Sequence, residues 1–343
     1  MFRIDNCLSS CLYLGKMTTI LEKNMKKQLI TLAAASVMMT FSINAKTLML
    51  GHAMNIESAA HAGMKIFAEK VNEKSNGEMN VKIFPNGVLG SERDQAEQVV
   101  TGAIDMAKIN GSLAESFEPT FKAISIPFLF RDSTHMHEFM RSETAEKLLL
   151  SSKGKGFIGV TFYDSGSRSF YSAKPIETPD DLAGLKVRVP ESPTMMEMVR
   201  LLGAKPTPVP FTEVYTALQQ GVIDAAENNI SSLVEMKHSE VAKYYSMDQH
   251  MMTPDLIMIS ESTWNSLSNE ERKIIKEAAN ESREEEIKIW AETDSKNMAI
   301  AKKLDVKFVE VDKSKFRDKV QPMIEEAQKD SNLSYYVEAI QKL

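Results

Sequence analysis

Two distant stretches of the chain repeat one junction, and this repeat narrows the possible folds. Gln98-Val99-Val100-Thr101-Gly102-Ala103-Ile104-Asp105-Met106-Ala107 is echoed by Leu218-Gln219-Gln220-Gly221-Val222-Ile223-Asp224-Ala225-Ala226. Each reads as a helix end, a glycine cap and an Ile-Asp pair that opens a strand. Eight residues past each glycine stands an asparagine, Asn110 and Asn229. A helix–glycine–strand junction is common enough to recur by chance. A single plan used twice would instead give two lobes, and in such sheets ligands sit beyond the carboxyl ends of the strands, where both asparagines fall.

The rest of the chain fits two α/β lobes. Apolar runs at Thr47–Ala53, Met79–Phe84, Ile104–Ile109, Phe157–Tyr163 and Leu185–Val189 read as strands. Helical periodicity fills Glu57–Ser75, a segment capped by Ser91 with Glu92 in its first turn, and Ser133–Ser151. Strands alternating with helices predict largely parallel sheets. From Ser268 to Lys303 the chain has neither proline nor glycine. A helix of roughly 35 residues is about 50 Å long, more than one small domain, so it is expected to run across both lobes. A strand at Val306–Val311 and a helix from Ser314 to Asp330 complete the expected fold.

The N-terminus reads as an export signal rather than structure. Met25-Lys26-Lys27 is basic, Leu29–Phe41 is apolar but too short to span a bilayer, and Ile43-Asn44-Ala45 suits cleavage after Ala45. Residues 1–24 then precede a better initiator and read as a mis-called start. Both cysteines, Cys7 and Cys11, fall in that segment, so the mature chain needs no disulfide or thiol chemistry. Residues 1–45 carry five basic and two acidic side chains of a net −6, which leaves the mature chain at −9. That charge disfavours a nucleic-acid partner.

Candidate chemistry centres on the stretch Asp164–Asn229. Arg188 lies inside an apolar strand, and a guanidinium there must find an anion or a carbonyl. Arg168 flanks another strand near Asn228-Asn229. Either arginine could serve a structural salt bridge; with no carboxylate expected at adjacent strand positions, a ligand carboxylate is the competing partner. His52 and His250 fit a satisfied core histidine as well as a ligand contact. Glu92 fits a helix-dipole partner, and Phe211, between Pro210 and a capped helix, fits the rim of a core. His135 and His137 are two apart on a helix and point different ways, so a solvated face is the simpler reading. No metal-ligand spacing, nucleophile elbow or phosphate loop is present, and no cofactor is expected.

Several of these stretches together resemble one family. Leu185-Lys186-Val187-Arg188-Val189-Pro190, Phe211-Thr212-Glu213-Val214-Tyr215 with Ala217-Leu218-Gln219, and Gly221-Val222-Ile223-Asp224 followed by Glu227-Asn228 look like the periplasmic solute-binding subunits of TRAP (tripartite ATP-independent periplasmic) transporters. Pro85, Leu89-Gly90 and Glu92-Arg93 match the first-lobe motif of that family, and the resemblance covers nearly all of 46–330. It implies an α/β, two-lobed periplasmic-binding-protein fold with hinge strands and a long helix bridging both lobes. Lobe I is expected at 46–165 plus 254–293 and lobe II at 166–253 plus 294–343, after a signal peptide at 25–45.

The resemblance further implies that Arg188 pairs with a ligand carboxylate and that Arg168 takes the place of a second, less universal arginine. Asn228, Phe211, Asn110 and Glu92 fall at cleft positions, and Asn229 and His52 join them as candidate ligand contacts. Within the family, Ser167–Tyr171 and Ala226–Asn229 look most like members that bind hexuronates, although Ile230-Ser231-Ser232 replaces the aromatic and proline residues found in many of those. The implied function is capture of a small carboxylate in the periplasm by a monomer, for membrane permease subunits driven by an ion gradient. The alternatives are a C4-dicarboxylate or sialic-acid binder, a secreted uronate-processing enzyme using Glu92 or Glu213 as acid or base, and a ligand-sensing partner of a receptor.

Overall fold

A computed structural model describes residues 45–343; the expected mis-called start at 1–24 and the signal segment up to Asn44 lie outside the described residues. The strands, in chain order, are β1 (Lys46–Gly51), β2 (Met79–Phe84), β3 (Met106–Asn110), β4 (Phe157–Tyr163), β5 (Arg168–Ser172), β6 (Lys186–Val189), β7 (Lys205–Pro208), β8 (Ala225–Asn228), β9 (Tyr244–Met251), β10 (Asp255–Ser260) and β11 (Lys307–Val309). They form a five-stranded sheet, β2-β1-β3-β10-β4, and a six-stranded sheet, β11-β9-β5-β8-β6-β7. Each sheet is the centre of one lobe.

The chain changes sheet directly between strands. Tyr163 ends β4 in the first sheet, and Arg168 opens β5 in the second; Met251 ends β9, and Asp255 opens β10 back in the first. These incoming strands explain why the sheets are mixed rather than largely parallel. β5 runs antiparallel to β8 and β9, and β10 runs antiparallel to β3 and β4, whereas β1 pairs parallel with β2 and β3, and β6 with β7 and β8. Gly166 sits in the first link with φ +65°, and a Cβ there would lie 2.9 Å from the Trp290 indole nitrogen. A larger residue would therefore be strained both by the backbone and by the neighbouring ring.

The long helix occupies Asn269–Lys303, 35 residues, opened by Ser268 and Glu271 in a reciprocal capping box. Its first half lies along the helix Ala59–Lys74, where Glu281 meets Lys70 at 2.9 Å and Lys74 at 2.7 Å. Its second half reaches the other lobe, where Asn297 donates to Glu235 at 2.8 Å. The expected bridge is thus present.

Three sequence expectations change. The helix expected over Ser133–Ser151 is two helices, Ser133–Arg141 and Glu143–Leu150. Ser142 breaks it by adopting an extended backbone and accepting from the Ala145 N–H at 3.1 Å, a serine preferring the cap to the helix interior. His135 lies on no solvated face: it is buried and contacts the Ile340 carbonyl at 2.7 Å. Residues 294–343 do not all join the second lobe. Phe316, Val320 and Met323 pack in the second core, but Ala327, Leu333, Val337 and Ile340 pack with Phe121 and Leu148 in the first. The apolar face of the helix Lys313–Lys329 outruns one lobe, so it crosses as well.

The repeated junction has the same geometry in both lobes. Gly102 and Gly221 both take positive φ, +77° and +68°, past the helices that feed β3 and β8. Asn110 and Asn229 each cap the short helix that follows, accepting from Ser112 N at 3.2 Å and Ser232 N at 2.7 Å. Both asparagines stand at the mouth of the space between the sheets.

Candidate functional site

Between the lobes lies a cleft with about 430 Å³ of empty space, open solvent at its mouth included. The second lobe supplies Arg168, Arg188, Pro190, Phe211, Asn228, Asn229 and Ser232 to its lining. The first lobe supplies Met54, Glu92, Lys108, Asn110 and Asp255, with Ser165 from the link and Trp290 from the long helix.

Arg168 and Arg188 differ sharply in how they are held. Arg168 points into its own sheet, where Nε and Nη2 donate to the two Glu227 carboxylate oxygens at 2.6 and 2.8 Å. Nη2 also donates to the Glu227 carbonyl at 3.1 Å, and Nη1 to Asn228 Oδ1 at 3.0 Å. The carboxylate that sequence reasoning did not count is therefore Glu227, on β8 and opposite Phe170 in the β5–β8 register. His250 extends the network, 3.4 Å from Glu227 and 2.6 Å from Asp248.

Burial opposes the charges of Arg168, Glu227 and His250, and their partners overcome it. Arg168 is raised through Glu227. Glu227 is held at about 2 by Arg168 and His250, and His250 is lifted to about 9 by Asp248 and Glu227. At neutral pH Arg168 and His250 are cations and Glu227 is an anion, all three buried.

Arg188 is the cation left over. Its Nε donates to the Val209 carbonyl at 2.9 Å, and neither Nη nitrogen has a protein partner among the described residues. Burial lowers its pKa, with Glu227 opposing, yet a guanidinium starting above about 12 remains charged. The fork of a buried cation is thus offered to the cavity. Asn228 works beside it: Oδ1 is occupied by Arg168 and by the Asn229 N–H at 2.9 Å, which leaves its Nδ2 as a free donor. Asn229 is more committed, with Nδ2 on the Ser165 carbonyl at 2.8 Å.

The facing wall has the opposite charge. Lys108, fully buried on β3, lies 3.1 Å from Glu92 and 2.7 Å from Asp255. Asn110 Nδ2 donates to Asp255 at 3.2 Å, as expected for residues directly paired across β3 and β10. Two carboxylates share one ammonium. Burial raises Asp255 to about 6, Lys108 pulling it down and Glu92 adding to the rise. Glu92 is therefore more than a dipole partner at its helix start, since it also reaches Lys108.

Phe211 and Trp290 provide apolar walls. Phe211 packs with Met54 of the first lobe and meets His238 edge-on at 6.1 Å. His52 is not among the lining side chains: it is buried, its Nε2 is 3.0 Å from His61 Nδ1, and burial lowers it to about 3. Sequence reasoning missed Lys108, Asp255 and Trp290. A lysine inside the apolar run Met106-Ala107-Lys108-Ile109 was a visible signal; Asp255 and Trp290 become site residues only through tertiary placement. Among the described residues no cluster of three or more histidine, cysteine or acidic groups is arranged for a metal.

Two hinged lobes around a polar cleft with one unpaired guanidinium define a ligand-binding protein of the two-lobed class. The chain belongs to bacterial extracellular solute-binding protein family 7 (DctP), which matches residues 50–330. It is 38% identical to the Salmonella typhimurium protein YiiZ over 86% of this chain and 91% of that one. Among solved structures it is similar to a TRAP periplasmic solute-binding protein from Bradyrhizobium in complex with α/β-D-galacturonate. That likeness has a TM-score of 0.85 and 35% identity, covering 87% of this chain and 100% of that one. It is also similar to one from Anaerococcus prevotii with bound α/β-D-glucuronate, at TM-score 0.84 and 37% identity, covering 87% and 97%.

Proposed function

We propose that this protein captures a hexuronate, glucuronate or galacturonate, in the periplasm and delivers it to the membrane subunits of a TRAP transporter. The observation that carries the reading is the free Arg188 fork facing an acidic wall. A sugar acid brings one carboxylate and several hydroxyls. The carboxylate takes the Arg188 fork, a planar bidentate match. The hydroxyls meet the donors Asn228 Nδ2 and Lys108 and the acceptors Glu92 and Asp255. Arg168 and Asn229 position these groups, Asn110 steadies Asp255, and Phe211 and Trp290 cover the sugar ring. The uronates bound by the similar solved structures support this assignment.

The same wall disfavours a dicarboxylate, because a second carboxylate would approach Glu92 and Asp255 across the cavity. The protein acts as a binder and not as an enzyme. Of the two acids that a uronate-processing reading would use, Glu92 is held by Lys108, and Glu213 is not among the lining side chains.

A thermal-shift panel tests the ligand. D-Glucuronate or D-galacturonate at a hundred times its dissociation constant is expected to add about 2.7 kcal/mol of apparent stability, since it binds only the folded state. Succinate, malate and sialic acid are expected to leave the midpoint unchanged. A shift with any of these and none with the uronates overturns the assignment. Periplasmic delivery is tested by mass spectrometry of the exported protein, which is expected to begin at or near Lys46; a full-length cytoplasmic form as the sole product contradicts it.

A further inference from the structure

The two lobes are joined across the cleft mouth by contacts outside the cavity. Glu115, buried at the end of the short first-lobe helix Gly111–Ala114, extends its carboxylate to the second lobe. Oε1 accepts from the Thr194 N–H at 2.9 Å and from the Ser192 hydroxyl; Oε2 accepts from the Thr194 hydroxyl at 2.5 Å. Ser192 is the N-cap of the second-lobe helix Pro193–Leu201, so the carboxylate sits where unpaired N–H groups and the helix dipole favour negative charge. Adjacent contacts reinforce it. Ser116 donates to the Glu191 carbonyl at 3.0 Å, and Arg93 lies 3.0 Å from the Glu191 carboxylate.

This seam is continuous with the binding site. Pro190, Glu191 and Ser192 follow in turn after β6, the strand that carries Arg188, and Pro190 lines the cavity. Arg93 follows Glu92. A ligand that seats Arg188 and Glu92 therefore fixes the two segments whose next residues meet across the mouth.

We propose that Glu115 is the latch of cleft closure: a positioning residue that never touches the ligand but holds the lobes together around it. The proposal rests on the binding-protein reading above. When the lobes part, water replaces the partners of Glu115, so its bonds distinguish the closed state from the open one and shift that equilibrium. A contact formed after the ligand enters acts on release more than on association.

Stopped-flow binding of D-glucuronate tests it. Glu115→Ala is expected to release the ligand about tenfold faster or more, with association changed by less than about twofold, and Glu115→Gln, which keeps part of the hydrogen bonding, should fall between. A second readout needs no ligand. The described residues contain no cysteine, so single cysteines at the exposed Val88 and Val222, one on each lobe, can carry spin labels. Glu115→Ala is expected to move the ligand-free distance distribution toward longer separations. Thr194→Val, which alters the latch from the other lobe, should act in the same direction and replaces Glu115→Ala if that variant does not fold. Unchanged release and unchanged distances in a folded variant overturn the latch. Failure of the unaltered protein to bind either D-glucuronate or D-galacturonate overturns the uronate reading alone, and the label distances then decide the latch.

Discussion

Arg188→Lys is expected to weaken hexuronate binding at least about a hundredfold in a protein that still folds, a loss of about 2.7 kcal/mol. The charge is kept, so charge is not what the variant tests. Arginine holds its head in place through Nε on the Val209 carbonyl and offers both Nη groups, otherwise unpartnered among the described residues, to the cavity. Lysine has one point-like head for both tasks. It must abandon either the carbonyl or the carboxylate, and it cannot make two parallel bonds to a carboxylate. Hydrogen bonds to a charged group contribute about 1.5–3 kcal/mol each, so losing one and weakening another reaches the stated size. Calorimetry on the folded variant measures it. Unchanged affinity would mean that Arg188 is a structural residue and that the ligand carboxylate goes elsewhere.

How far the sequence could anticipate this site depended on whether an interaction is local. The repeated junction was legible because helix end, glycine and strand start lie within ten residues of each other. Its prediction of two similar lobes agrees with the matching backbone at Gly102 and Gly221 and the matching caps at Asn110 and Asn229. The long helix was legible because nothing within it breaks a helix. Arg188 was legible because a guanidinium in an apolar strand demands a partner.

What was not legible comes from strand register between distant segments. Arg168 and Glu227 are 59 positions apart, and only the antiparallel pairing of β5 with β8 brings them together. The pairing of β3 with β10 likewise places Asp255 opposite Asn110 and beside Lys108. Sequence alone gives neither pairing, so Arg168 looked as available to a ligand as Arg188. The C-terminal helices were misassigned for a related reason: their apolar faces showed that they pack, but not against which lobe.

The second large effect is expected at Glu227. Glu227→Ala should destabilise the protein by about 3–5 kcal/mol, because it strands a buried arginine that now has four hydrogen bonds to this residue and its neighbour. The pH dependence gives this a signature that mere loss of packing would not. Glu227 is held at about 2 against an ordinary 4.5, so its contribution is present above 4.5 and is lost as the pH falls toward 2. His250 is raised from 6.5 to about 9, so its contribution is complete below 6.5 and is lost as the pH rises through 9. At about 1.4 kcal/mol per pKa unit, the alkaline loss in the unaltered protein has an upper bound of about 3.5 kcal/mol. In Glu227→Ala that loss should shrink without vanishing, since Asp248 lifts His250 more than Glu227 does. Urea unfolding at about pH 6 and about pH 9.5 reads both effects from the midpoints. A variant with the midpoint of the unaltered protein at pH 6 would show that Arg168 does not depend on Glu227, and would return Arg168 to the candidates for direct ligand contact.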